Sequence, residues 1–184
     1  MKNQSSAIEQ LDRYIRARYP AIAILSHEES RVMASIQAVA ERRGRRVVTW
    51  TCTQGLQQVR PEGAFNDWHP DSDLAFDLEM TRNEVAALEE IYNYNEKAQE
   101  VLAKRNQTFE DVGSVLFVIK DIHGFLGSRD RGFDPQVTRW IRDIAAKFAI
   151  SKRPRQLPPG TGDSLGSFIP TYGGISVLYV RKNR

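Results

Sequence analysis

Five consecutive apolar residues, Val115-Leu-Phe-Val-Ile119, constrain the fold more than any other part of the chain. A run this short, with no polar side to turn outward, reads as a strand buried on both faces. Such strands belong to mostly parallel sheets with helices packed on each side. The rest of the sequence supplies both partners. Ala21-Ile-Ala-Ile-Leu25 is a second short apolar run, and Arg46-Val-Val-Thr-Trp-Thr-Cys52 is a third. Helical patterns lie around them. Residues 4–19 set Ile8, Leu11, Ile15 and Tyr19 at helical spacing, and Pro20 stops that helix. Ser26 with Glu29 three residues on reads as a capping box, opening a helix that buries Val32, Ile36, Val39 and Ala40 and ends at Gly44. Thr81 and Glu84 read as a second box, ahead of Val85, Leu88, Ile91, Val101 and Leu102. Asp134-Pro135 opens a last helix whose stripe is Val137, Trp140, Ile141, Ile144 and Phe148. The expected fold is therefore α/β: a three-layer α/β/α sandwich around a mainly parallel sheet of about four or five strands. Residues 54–73, with Gly55, Pro61, Gly63 and Pro70, read as an irregular loop.

Composition excludes several classes. With 184 residues, 41% hydrophobic and 27% charged, the chain suits one globular domain. No apolar run approaches the roughly 18 residues of a membrane span. The first ten residues, MKNQSSAIEQ, lack the apolar core of a signal peptide. A single cysteine, Cys52, leaves no intrachain disulfide and no cysteine-rich metal site. A reducing cytoplasm or a plastid stroma is the expected compartment. The formal charge is only +3, but it is uneven. Arg42, Arg43, Arg45 and Arg46 form one basic cluster, and the segment 139–155, ending in Arg153 and Arg155, forms another. Two readings stand for these: contacts to phosphate backbones, or solvated helix ends.

Composition shifts after residue 150. Residues 1–150 read as the ordered domain, and 151–184 as an atypical tail dense in Pro, Gly, Ser and Arg. Within it, 175–180 reads either as a final strand or as unpaired. The tail also holds Gln156-Leu-Pro-Pro-Gly-Thr-Gly-Asp-Ser-Leu165, close to an ATP-binding loop. A working loop is G-x-x-x-x-G-K-[S/T] between a strand and a helix. Here Leu157 stands for the first glycine and Asp163 for the lysine. A basic segment precedes it, and glycines and a proline follow, so both flanking elements are missing. The segment is not a phosphate loop.

In a nucleotide-binding α/β fold that loop would follow the first strand. There the chain has Ser26-His27-Glu28-Glu29. Helix N-termini attract anions, and two carboxylates already stand at this one. The fold thus reads as a degenerate P-loop NTPase-like core without a phosphate loop. Asp121 and His123 follow the strongest strand, at the sheet edge where such folds bind ligands. Ser26, His27, Glu28, Glu29, Asp121 and His123 are the candidate cofactor-binding residues. The alternative is that all six are structural. If strands 21–25 and 115–119 were neighbours, His27, Glu28, Glu29, Asp121 and His123 could converge on a metal, but no H-E-x-x-H spacing supports one. No nucleophile motif is present, so no catalytic residue is assigned. Trp50, Phe65, Trp68 and His69 beside Arg60 suit either base stacking or the sheet edge.

The segments "IRARYPAIAILSHEESRV" (15–32), "VLFVIKDIHGFL" (115–126) and "RWIRDIAAKF" (139–148) resemble the N-terminal region of an AAA ATPase family of cyanobacteria and plastids, known as a hypothetical chloroplast reading frame. The resemblance covers about residues 5–150. It implies an ATPase-like N-terminal domain without a phosphate loop, followed in the full-length protein by an intact AAA domain that binds and hydrolyses ATP with Mg. This chain would then be a fragment ending before that domain, with no cofactor of its own. Its role would be recognition of a protein partner or self-association in an AAA-type assembly. The runner-up is a nucleotide- or nucleic-acid-binding module working through the basic clusters. Past Arg155 the resemblance stops. Codons for Leu157–Val180 can be chosen so that a neighbouring frame restores a strand and a helix start, so the tail is expected to be frame-shifted or disordered.

Overall fold

The computed structural model describes residues 2–17, 19–26, 28–59, 76–107, 115–126, 134–150 and 176–181. Five strands form one sheet: β1 (Ala21–Leu25), β2 (Arg46–Thr51), β3 (Gly55–Val59), β4 (Val115–Lys120) and β5 (Ser176–Arg181). Four longer helices accompany them: α1 (Lys2–Arg16), α2 (Glu29–Arg42), α3 (Glu84–Lys104) and α4 (Pro135–Ile150). The strand order is β1-β5-β4-β2-β3. β1, β5, β4 and β2 run parallel, whereas β3 pairs antiparallel with β2. The sheet is therefore mixed.

The apolar run of β4 behaves as its composition demands. Leu116 and Val118 join Leu11, Ile15, Ile22, Ile36, Val39, Ala40 and Val47 in a cluster under α1 and α2. Val115, Phe117 and Ile119 join Val48, Trp50, Leu56 and the inner residues of α3 and α4 in a second cluster. Because side chains alternate along a strand, these two cores lie on opposite faces of the sheet. Full burial of each large apolar side chain contributes about 1.5–3 kcal/mol, so the central strands anchor the fold.

Helix ends follow local rules, though not always at the expected residue. α2 ends as predicted. Gly44 takes φ +59, and two bonds run back, from Gly44 N to Glu41 O and from Arg45 N to Ala40 O. This is the Schellman arrangement, which needs a left-handed residue past the helix. α3 closes the same way with Asn106 at φ 52 and Gln107 N bonded to Leu102 O. Asp134 caps α4, its carboxylate accepting from Gln136 N and Val137 N at 2.8 and 3.2 Å.

The two expected capping boxes do not form. Asn83, not Thr81, caps α3 by accepting from Ala86 N. Thr81 lies in a short 3-10 turn, Met80–Arg82, and is fully buried. Ser26 Oγ accepts from Glu28 N, two residues on, and the cap position of α2 is Glu28. Ser26 finds a nearer backbone donor than the box geometry offers, whereas Thr81 is held by Leu56 N and the Asp77 carbonyl. α1 also stops earlier than expected, at Arg16, leaving Tyr19 half-exposed beyond it.

One further expectation is corrected. β3 falls inside the segment read as a loop, because Gly55, Gln57 and Gln58 hide a strand pattern at an edge position. Residues 176–181 take the first of the two readings of 175–180, a final strand, and β5 sits between β1 and β4. The loop-like stretch 156–165 lies outside the described residues.

Candidate functional site

In a parallel sheet the strands' C-terminal ends and the following helix N-termini share one edge, where open α/β sheets bind ligands. Here that edge is built from the end of β1, the start of α2 and the end of β4. β5 stands between β1 and β4, so their ends lie about 9.5 Å apart, two strand spacings. The condition for a convergent metal cluster, that β1 and β4 be neighbours, is not met. Among the described residues no group of three or more His, Cys, Asp or Glu could hold a metal ion.

The gap is bridged instead by one long side chain. Lys120 Nζ, at the last position of β4, lies 2.9 Å from Glu29 Oε1 in the first turn of α2. Glu28 is exposed and takes a 2.7 Å bond from Arg31 NH1 on the next turn of α2. Both carboxylates sit where the N-terminal N–H groups and helix dipole favour negative charge. They stabilise the helix start, and they occupy the region a phosphate would need. The only lysine of this edge among the described residues is neutralised by one of them. These residues do not fit the phosphates of a nucleotide. Lys120 was the piece not assigned in the sequence; its signal is a lysine closing an unbroken apolar run.

Asp121 follows Lys120 and holds φ 53, a left-handed conformation that Asp tolerates better than most residues. Its carbonyl accepts from Gly124 N at 3.1 Å, closing the 3-10 turn Ile122–Gly124. Ile122 inserts into the core. The strand therefore turns sharply at Asp121, which is exposed. His123 belongs to that turn. His27 and the side chain of His123 lie outside the described residues.

In the basic cluster of α2 and β2, two arginines take partners within the fold. Arg43 grips Asp12 of α1 with two bonds, Nε to Oδ1 at 2.8 Å and NH2 to Oδ2 at 2.6 Å. That bidentate hydrogen bond holds the Asp12 carboxyl below the usual carboxylate range. Arg46 is buried at 2% exposure and hydrogen-bonds the Tyr94 hydroxyl. Burial pushes that phenol up to about 12, against the opposing pull of Arg46. Two of the four arginines thus serve the packing of α1 and α3. Arg42 is exposed and Arg45 half-buried. Arg153 and Arg155 lie outside the described residues.

Trp50 lies in the core on β2, one strand in from the sheet edge. Its indole is 2% exposed and donates to Thr81 O at 2.6 Å. Phe65, Trp68, His69 and Arg60 lie outside the described residues.

The described residues define an α/β domain with a mixed five-stranded sheet and two carboxylates at the start of α2. The SpoVK-like AAA ATPase N-terminal domain family matches residues 7–157, and the chain belongs to that family. No curated protein and no solved structure matches it. Among the described residues no helix is long and apolar enough to cross a membrane.

Proposed function

We propose that this chain is a non-catalytic N-terminal portion of an AAA ATPase, acting in partner recognition or assembly. In this reading its core is a degenerate, three-layer relative of P-loop NTPases, and any ATP and Mg belong to a separate ATPase domain. The observation that carries it is the Glu29–Lys120 bridge at the start of α2. A nucleotide-binding domain needs free N–H groups and an available cation at this place. Here carboxylates sit on the cap and first positions of α2, and Glu29 holds the lysine. Asp121 and His123, at the end of β4, are then remnants of a catalytic edge. A protein that binds ATP gains stability by mass action, about 2.7 kcal/mol at a hundredfold excess over Kd. The expected result is no change in Tm with millimolar Mg-ATP and no phosphate release. A clear upward shift in Tm would overturn the reading.

A further inference from the structure

The sheet has two edges of different character. β3 forms one, with Gln57 and Gln58 in its middle. β1 forms the other, and among the described residues its only strand partner is β5. Edge strands in soluble proteins are commonly blunted by charge, proline or a bulge. Ala-Ile-Ala-Ile-Leu carries neither charge nor proline, and all five residues keep an unbroken register with β5. Ile22 and Ile24 pack into the cluster under α1 and α2. By alternation Ala21 and Ala23 face the other side. Ala23 is exposed there, although it sits mid-strand.

We propose that β1 pairs antiparallel with β1 of a second copy of the chain, about a two-fold axis at Ala23. A two-fold contact uses one patch twice, so the patch must complement itself. β1 does so. Around Ala23, Ile22 falls opposite the second copy's Ile24, and Ala21 falls in register with the second copy's residue 25. Every residue of the joint ladder is then apolar by sequence, and alanine stands at its centre. Charge selects the direction. The chain enters β1 from a basic end, with exposed Arg13 and Arg16 in the last turn of α1. It leaves toward the exposed carboxylates Glu28 and Glu29. Antiparallel pairing sets the basic end of each copy beside the acidic end of the other, whereas parallel pairing would stack like on like. Both carboxylates also have local partners, Arg31 and Lys120, so charge sets orientation more than strength. The proposal deepens the assembly reading by giving it a surface. It needs nothing from the nucleotide argument, so a failure of the Mg-ATP test leaves it standing, and the reverse.

Sedimentation velocity across a concentration series tests it. The wild-type chain is expected to form a dimer. Ala23→Lys places two like charges directly opposite, which destabilises a cross-strand pair. That variant is expected to stay monomeric with unchanged circular dichroism and Tm, since Ala23 is exposed in the single chain. A second variant needs no loss of binding to be read. Residues opposite each other in an antiparallel pair have Cα atoms about 4.5–5.5 Å apart, within disulfide reach. Ala23→Cys in a Cys52→Ser background is therefore expected to give a covalent dimer on mild oxidation. A wild-type chain that is monomeric throughout, a dimer that Ala23→Lys leaves intact, or an Ala23→Cys variant that does not cross-link would each overturn the proposal. A monomer that gains an edge strand only from another protein counts among the first of these.

Discussion

Two polar clusters hold the margins of the sheet, and they are built on opposite principles. One lies where β2 turns into β3 and is dry. Thr81 is its centre. Its hydroxyl donates to Asp77 O at 2.6 Å and accepts from Leu56 N at 3.0 Å, while its carbonyl accepts from the Trp50 indole. The other lies where β1 turns into α2 and is wet. It consists of Glu28–Arg31 and Glu29–Lys120, with side-chain exposures of 60% and 48% for the two acids. Buried hydrogen bonds cost their full desolvation when broken, whereas exposed ion pairs are worth little. The difference separates a corner that holds the fold from a corner whose charged pairs stand in solvent. Only the second is free to change without unfolding the domain.

The largest effect is expected from Gly55→Ala. Gly55 has φ +72, and a Cβ there would sit 2.3 Å from Leu78 O and 2.7 Å from Thr81 Oγ1. The left-handed conformation costs a non-glycine residue roughly 1–2 kcal/mol. The backbone oxygen must also move, at a cost of about 1–3 kcal/mol for overpacking. Urea denaturation is expected to show a loss of about 2–5 kcal/mol, enough to threaten a marginally stable domain. A loss within experimental error would mean that this corner is not rigid.

Tyr94 extends the comparison to a third place, the buried contact between α3 and the start of β2. Its hydroxyl ionises near pH 10 in an unfolded chain but only at about 12 in the fold. The unfolded state therefore releases its proton first as pH rises. Stability from this source is complete below pH 10 and declines between there and the folded value, by on the order of 2–3 kcal/mol. Denaturation curves between pH 8 and pH 11 (readily reached without chemical damage) check this. Tyr94→Phe is expected to lower the baseline and to flatten the alkaline decline. An equally steep decline in that variant would assign the effect elsewhere.

Thr81→Val should follow at about 1–3 kcal/mol, the usual cost of leaving a buried N–H without its acceptor. The orphan is Leu56 N. Thr81→Ser keeps both hydroxyl bonds and is expected to recover most of the loss. If valine and serine behave alike, the hydroxyl is not what locks the corner.

Much of this was legible in the residues, for reasons that differ by element. Val115–Ile119 reads as the strongest strand because the run is short and has no polar side to turn outward. α4 declared both its start, at Asp134-Pro135, and its inner stripe. The edge strand β3 was hidden, since a half-wet pair of glutamines and a glycine carry no alternation. Thr81 was read as a helix cap because a threonine three residues before a glutamate fits that pattern. Only the tertiary contact with Gly55 and Trp50 shows that it is a buried hub. The arginines of 42–46 look alike in sequence, yet Arg43 and Arg46 take local partners that no spacing rule reveals. Strand order was the costliest gap. Local pattern does not say that β5 enters between β1 and β4, and that insertion decides whether the acidic start of α2 can reach Asp121. The acidic helix start itself was plain.

The smallest effect should come from the wet corner, and it is the most informative for function. Glu29→Gln removes the charge that holds Lys120 while keeping the size of the side chain. Because the pair is half-exposed, stability is expected to fall by less than about 1 kcal/mol. What changes is the character of the edge: a lysine at the end of β4 becomes available above a helix start relieved of one negative charge. If the carboxylates alone exclude a phosphate, Glu28→Gln with Glu29→Gln should acquire weak, salt-sensitive binding of inorganic phosphate or ATP, measurable by calorimetry. If the double variant still binds neither, charge is not the whole barrier. A fall in stability as large as that of Thr81→Val would erase the distinction between the two corners.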